Sequence, residues 1–267
     1  MNYSNILKGF IKQKRVLSAL HYRELKTRIS NVKFGFFGLL LQPLGTLLLF
    51  LLIFGFVRQR GVGNMDSNFA PIFLLCGIIH FSLFSEIVIR SLNSLQANEA
   101  LFFYRQVKPI DTLIARSYLE TVIYGFVFIL IIACIFIIFE SFILDNLPLI
   151  FISYMLLALT SFSLGIFFMV AGHRFPIFKT IITFVQRPLF LVSGIFFSIS
   201  NLPPRIIPFL SWNPILQAIE LSRKGFDAKY FVDPNIVSLK YLFSFTFVSC
   251  TFGLWVYFNN LKILRKL

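Results

Sequence analysis

Arg187 stands inside an apolar run that begins at Ile177, between Gln186 and Pro188. A charge at membrane depth is costly and marks a functional position by default, so Gln186 and Arg187 read as pathway or gate residues facing protein or water. The competing reading is an arginine that snorkels from a span starting late. Glu86 and Arg90 are an i,i+4 pair in the favoured order, and Arg116 and Glu120 a second pair in the less favoured order. Both read as structural ion pairs flanking a polar segment. Other chemistry is hard to assemble. The chain contains no GxxxxGK[ST] phosphate loop, no GxSxG, no HExxH and no carboxylate pair in a soluble pocket. Cys76, Cys134 and Cys250 lie far apart inside apolar runs, without metal-site spacing, and His21, His80 and His173 are isolated. The expectation is no catalytic site, no metal and no cofactor in this chain.

The elements that carry these residues are almost all apolar. Hydrophobic residues make up 57% of the 267 positions, charged residues 13%, and there are 36 phenylalanines. A soluble domain carries about a quarter charged residues, so the chain reads as an all-α integral membrane protein. A net charge of +14 could serve nucleic acid, but its charges sit in loops between greasy runs, which excludes that class. Residues 1–33 form a basic leader with a loosely apolar face, an amphipathic interfacial helix. It is no signal peptide, since the first apolar run begins only at Phe34. Residues 34–267 form one transmembrane domain. Six runs can supply the ~20 helical residues a bilayer core requires: Phe34–Val57, Phe69–Ile89, Tyr118–Phe139, Leu147–Ala171, Ile177–Ile199 and Leu239–Phe258. The leader, the 90–116 loop, the 172–187 segment and the tail hold 18 of the 25 basic residues. The positive-inside rule then puts both termini in the cytoplasm.

Two stretches interrupt the grease. Ser91–Arg116 alternates apolar and polar residues at helical spacing from Leu92 and carries the aromatic cluster Phe102, Phe103, Tyr104. It predicts a short amphipathic helix at the membrane surface, ended at Lys108-Pro109, by which something outside the membrane moves the protein. The 200–238 stretch carries Pro203, Pro204, Pro208 and Pro214 yet stays rich in Ile, Leu, Phe and Trp. Those prolines forbid one continuous helix. Short helices re-entering the outer leaflet over 201–216 fit if protein covers their free backbone groups; a loop packed on the helix ends is the alternative.

Four motifs in order resemble the membrane subunit of type-2 ABC exporters, specifically the capsular polysaccharide export permeases of Gram-negative bacteria. Arg23, Glu24, Arg28, Gly35, Phe36 and Pro43 are similar to that family's basic block, Gly-aromatic pair and proline, with Gln42 where an acid is common. Gln106–Asp111 (QVKPID), with Arg116 and Glu120, resembles its coupling segment. Ser193–Pro203 resembles the end of its fifth span, and Trp212–Phe226 its W-N-P…IE…R-x-G-F pattern. The resemblance implies six transmembrane helices, a cytoplasmic coupling helix between spans 2 and 3, and re-entrant periplasmic helices before span 6. It implies a homodimer in the inner membrane with two separate ATPase subunits that bind ATP and Mg. Ser94, Gln96, Asn98, Glu99, Phe102, Phe103, Tyr104, Arg105, Arg23, Glu24 and Arg28 would couple to the ATPase. Trp212, Asn213 and Pro214 would join Gln186 and Arg187 along the path of a lipid-linked polysaccharide. Periplasmic and outer-membrane capsule export proteins and membrane lipid would be further partners. Rivals are a cousin exporting O-antigen, teichoic acid or a drug, a stand-alone secondary carrier or channel, and a membrane scaffold without transport.

Overall fold

The computed structural model describes residues 3–30, 38, 40–41, 43–46, 48–50, 52–53, 70–104, 106–138 and 144–264. Its elements are α1 (Tyr3–Ser30), α2 (Ala70–Leu92), α3 (Ser94–Ala97), a 3₁₀ turn (Glu99–Leu101), α4 (Pro109–Ile138), α5 (Leu147–Arg174), α6 (Ile177–Val192), a second 3₁₀ turn (Ile199–Asn201), α7 (Ile207–Ser211), α8 (Pro214–Phe226), α9 (Leu239–Asn259) and α10 (Leu261–Leu264). Every regular element among the described residues is helical.

Helix starts follow local chemistry. Pro109 opens α4, where a missing N–H costs nothing, and the Asp111 carboxylate accepts the Lys108 N–H at 3.0 Å. The proline read as a stop is therefore also a start, and the third helix begins well before Tyr118. Asn146 caps α5 by accepting the Leu149 N–H at 3.1 Å, with Pro148 in the first turn; Asn213 caps α8 and Ser238 caps α9 in the same way.

Four described helices are long and apolar enough to cross a membrane: α2, α4, α5 and α9. The chain is thus a multi-pass membrane protein. The first expected span, Phe34–Val57, lies largely outside the described residues. The fifth run, Ile177–Ile199, is helical only over Ile177–Val192. That is about 24 Å at 1.5 Å per residue, short of the ~30 Å hydrocarbon. Gly194 then takes φ +75, a left-handed turn no side chain adopts readily, just after the helix ends.

The core is a continuous apolar cluster in which Leu75, Ile79, Leu157, Leu216 and Ile219 are fully buried. α5 is central, packing against α2, α8 and α9. On the outer faces of α4 and α9, Ile129, Ile137, Phe247 and Trp255 are exposed, as lipid-facing residues would be. A smaller apolar cluster of Leu95, Leu113, Met169, Tyr257 and Leu264 ties the polar segment to α4, α5, α9 and α10. The last described helix, α10, therefore lies at the same end of the bundle as the polar segment.

Candidate functional site

The polar segment does not form the single amphipathic helix expected from Leu92. α2 ends at Leu92, and the chain continues as α3, a 3₁₀ turn and open turns to Val107. Two asparagines account for this. Asn93 Nδ2 donates to the Ile89 carbonyl at 3.2 Å and Asn98 Nδ2 to the Ser94 carbonyl at 2.9 Å, side-chain bonds that compete with helix continuation.

The segment presents two kinds of residue. Phe103 and Tyr104 are 82% and 67% exposed, with Gln96 and Glu99 beside them and Phe102 half-buried. Ser94 and Asn98, expected at the same surface, are buried, so their part is to position the turn rather than to touch a partner. Arg105 lies outside the described residues. Lys179 of α6 donates to Gln96 Oε1 at 2.7 Å, and Arg23 of α1 donates to Asn98 Oδ1 at 3.0 Å.

α1 lies across the start of α4, and a charged seam runs beneath it. Gln13 donates to the Asp111 carboxylate, Glu24 pairs with Arg116 at 3.1 Å, and Arg28 pairs with Glu120. Arg90 bridges Glu120 and Glu86, the latter at 3.0 Å. The expected Glu86–Arg90 pair is present. The expected Arg116–Glu120 pair is replaced, because each residue finds a partner on α1 or α2 instead. Arg28 and Glu120 are buried, Arg23 is exposed, and His21 meets the Tyr118 ring edge-on at 4.8 Å. Long side chains thus cross-link α1, α2 and α4, a tie a sequence window around one helix cannot show.

Beside the seam, grooves of about 590 and 360 Å³ run between α1 and the 101–108 turn. Lys12, Arg15, Arg23 and Gln106 line them, and Lys108 flanks a neighbouring one. The surface is basic, with the Tyr104 ring at its edge.

Higher in the bundle, the residues expected along a translocation path separate. Gln186 is buried and bonded to Ser85, accepting its hydroxyl at 2.9 Å, whereas Arg187 is exposed on the outside of α6. Trp212 is 75% exposed, and its carbonyl accepts the Tyr241 hydroxyl at 2.7 Å. Asn213 and Pro214 build the start of α8: Asn213 Oδ1 takes the Ile215 N–H, and its Nδ2 donates to Ser193 Oγ at 3.1 Å. No hydrogen bond among the described residues joins Gln186 or Arg187 to this group.

A centre that sequence reasoning left without a role lies on α8. Arg223 is completely buried. It donates to the carbonyls of Phe73, Ile195 and Phe197 at 3.0–3.3 Å and to Glu220 at 3.2 Å, with its guanidinium 3.3 Å from the centre of the Phe73 ring. Glu220 also accepts the Ile199 N–H at 3.1 Å and the Tyr230 hydroxyl at 2.8 Å. The i,i+3 spacing of Glu220 and Arg223 on one helix was the available signal.

Comparison with known proteins bears on both ends. The ABC-2 type transporter family matches residues 15–226. The polysialic acid transport protein KpsM of Escherichia coli is 39% identical over 249 residues, 93% of this chain and 95% of its own. The capsule polysaccharide export inner-membrane proteins CtrC of Neisseria meningitidis and BexB of Haemophilus influenzae are each 27% identical, over 85% and 80% of this chain and 84% and 80% of theirs. The family match spans α1, the polar segment, the charged seam and the Arg223 centre, and the chain belongs to the ABC-2 type transporter membrane proteins.

Proposed function

We propose that this chain is the inner-membrane permease of an exporter of lipid-linked capsular polysaccharide, driven by ATP hydrolysis on separate subunits. The observation that carries this reading is the near full-length similarity to KpsM, seconded by CtrC and BexB. The chain lacks a phosphate-binding loop of its own, so its energy must come from a partner. The exposed Phe103 and Tyr104, beside the basic groove along α1, form the face on which that partner presses. Basic residues concentrate at this end, which puts both termini in the cytoplasm.

In the working assembly two copies of the chain, each with six spans, enclose the path, and two ATPase subunits bind ATP and Mg below them. Closure of the ATPases pushes the 94–105 turn and α1. The charged seam passes that push to α2 and α4, and the spans part to let the polymer move outward. Periplasmic and outer-membrane export proteins receive it.

Deleting the chain from its native cell tests the reading. The expected result is loss of the surface coat with polymer accumulating inside; an unchanged coat overturns it. Arg105→Glu should leave ATP hydrolysis running while export stops, and normal export in that variant would remove the 94–105 turn from the coupling face. Transport by the purified chain in liposomes without an ATPase would favour a secondary carrier instead.

A further inference from the structure

A cavity of about 190 Å³ lies between the helical turn at 43–46, α2, α4 and α6. Its polar lining is Thr46, Ser82, Ser85, Glu86 and Tyr124, and the rings of Phe81 and Phe190 form its apolar side. Those rings meet at 5.0 Å and continue into Phe50 and Phe196 through contacts of 5.4–5.5 Å. Ser82 lies ten residues before the end of α2, about 15 Å along the axis and so near mid-membrane. Polar side chains at such depth are kept where they meet protein, water or a transported group.

Some hydroxyls in the bundle bond back to their own helix. Ser91, Thr160 and Ser161 each donate to the carbonyl four residues back on their own helix. Ser85 instead donates across to Gln186 Oε1, which returns a bond to the Ser85 carbonyl at 3.3 Å and fixes that wall of the cavity. Ser82 and Tyr124 make no side-chain hydrogen bond among the described residues, although Tyr124 is 4% exposed. A carboxylate takes paired O–H donors, hydroxyls both give and take, and an aromatic face receives C–H groups. Together these are the functional groups that hold one sugar ring.

We propose that this cavity is a sugar-binding subsite in the wall of the export path, in which Glu86 and the Ser82 and Tyr124 hydroxyls hold the hydroxyls of one polymer unit and Phe81 and Phe190 receive its apolar face. The inference rests on the export reading above and adds the place where the polymer is held. Gln186 is then a positioning residue, acting through Ser85, and the exposed Arg187 has no part in the subsite.

The test places a thiol in the cavity. In a full-length chain with Cys76, Cys134 and Cys250 changed to Ala, Ser82→Cys is introduced, and Asn235→Cys, exposed in the turn before α9, serves as control. Membranes from cells making polymer, and from cells with synthesis blocked, are labelled with N-ethylmaleimide. The expected result is labelling at Ser82→Cys about fivefold slower when polymer is present, as mass action requires for a subsite four-fifths occupied, with Asn235→Cys unchanged. Equal labelling in both membranes overturns the subsite, as does parallel slowing at the control. A Ser82→Cys thiol that reacts in neither membrane overturns it too, because a cavity open to a sugar admits a maleimide. The deletion strain separates the two readings: a coat that still depends on the chain, with unprotected Ser82→Cys, rejects the subsite alone.

Discussion

Replacing Arg223 by methionine removes the cation that joins the start of α2, the 195–199 turn and α8. The side chain volume is largely kept, so the effect isolates the polar contacts. Three backbone carbonyls (Phe73, Ile195 and Phe197) lose their donor, and Glu220 loses its ion partner while still buried. Breaking a buried pair by removing one member costs about 3–5 kcal/mol, because the remaining charge stays uncompensated. Removing that charge as well, in Arg223→Met/Glu220→Leu, should restore part of the loss, with a coupling of about 2–3 kcal/mol between the sites. Arg223→Lys should fall between the wild type and the methionine variant, since one ammonium cannot reach carbonyls arranged for a planar fork. The assay is membrane abundance in the native cell together with the unfolding midpoint of the purified protein in detergent. A methionine variant within about 0.5 kcal/mol of wild type, the range of an ordinary surface change, would refute the reasoning. So would a double variant no more stable than the two single losses added together.

Glu120→Gln leaves Arg28 and Arg90 without their shared carboxylate and should cost about 3 kcal/mol of α1 docking; faster protease cleavage within the leader is the readout, and unchanged cleavage counts against the seam. A methyl group at Gly253 would sit 2.6 Å from the Ser163 carbonyl oxygen, so Gly253→Ala should destabilise by about 1–3 kcal/mol through overpacking of α9 on α5. Gly45→Ala has nothing within 4 Å and should be neutral or stabilising by up to about 1 kcal/mol in a helix, so equal effects at the two glycines would contradict the packing. Phe103→Ser and Tyr104→Ser should leave the chain folded, since both rings are exposed, yet, under the export reading, weaken co-purification with the proposed ATPase about tenfold, the loss of ~1.4 kcal/mol expected on removing an aromatic interface anchor.

The sequence made the membrane class, the all-helical fold and the special standing of the 91–116 and 200–238 stretches legible, because hydropathy and proline are local signals. Partnerships between helices were not. Arg116 and Glu120 share a helix face in sequence, but in space they pair with Glu24 and Arg28 on α1, nearly a hundred residues away, and with Arg90 on α2. Helical spacing from Leu92 was real, yet Asn93 and Asn98 bind the backbone and break the helix into turns. Arg187 drew notice as a charge in an apolar run; the structure exposes it and buries the neighbouring Gln186, and the spacing of Lys179, Thr183 and Arg187 at i, i+4 and i+8 was the signal for that polar face. Arg223 was overlooked because its neighbours in sequence are polar, while its partners are carbonyls from three distant segments.

Two contacts at the polar-segment end of the bundle are held by different kinds of bond, and the difference says which parts move together. Three separate contacts spaced along α1, from Gln13 to Arg28, fasten it to α4, so the two helices should travel as one body. The polar segment meets α6 through the exposed Lys179–Gln96 bond, a contact that is cheap to open. Under the export reading, then, a push from below should part the polar segment from α6 while α1 and α4 travel together, with α2 and α6 still joined through Ser85 and Gln186. Cysteine pairs joined by a reducible bis-methanethiosulfonate linker test this in inverted membrane vesicles treated before transport begins, since pairs that meet only through long side chains lie beyond the reach of a direct disulfide. A bridge between Gln13→Cys and Asp111→Cys should leave export at the level of the reduced sample, since it joins helices that already move together. One between Gln96→Cys and Lys179→Cys should stop export until reductant is added. The opposite pattern would place the hinge beneath α1 and make the charged seam a sliding contact rather than a clamp.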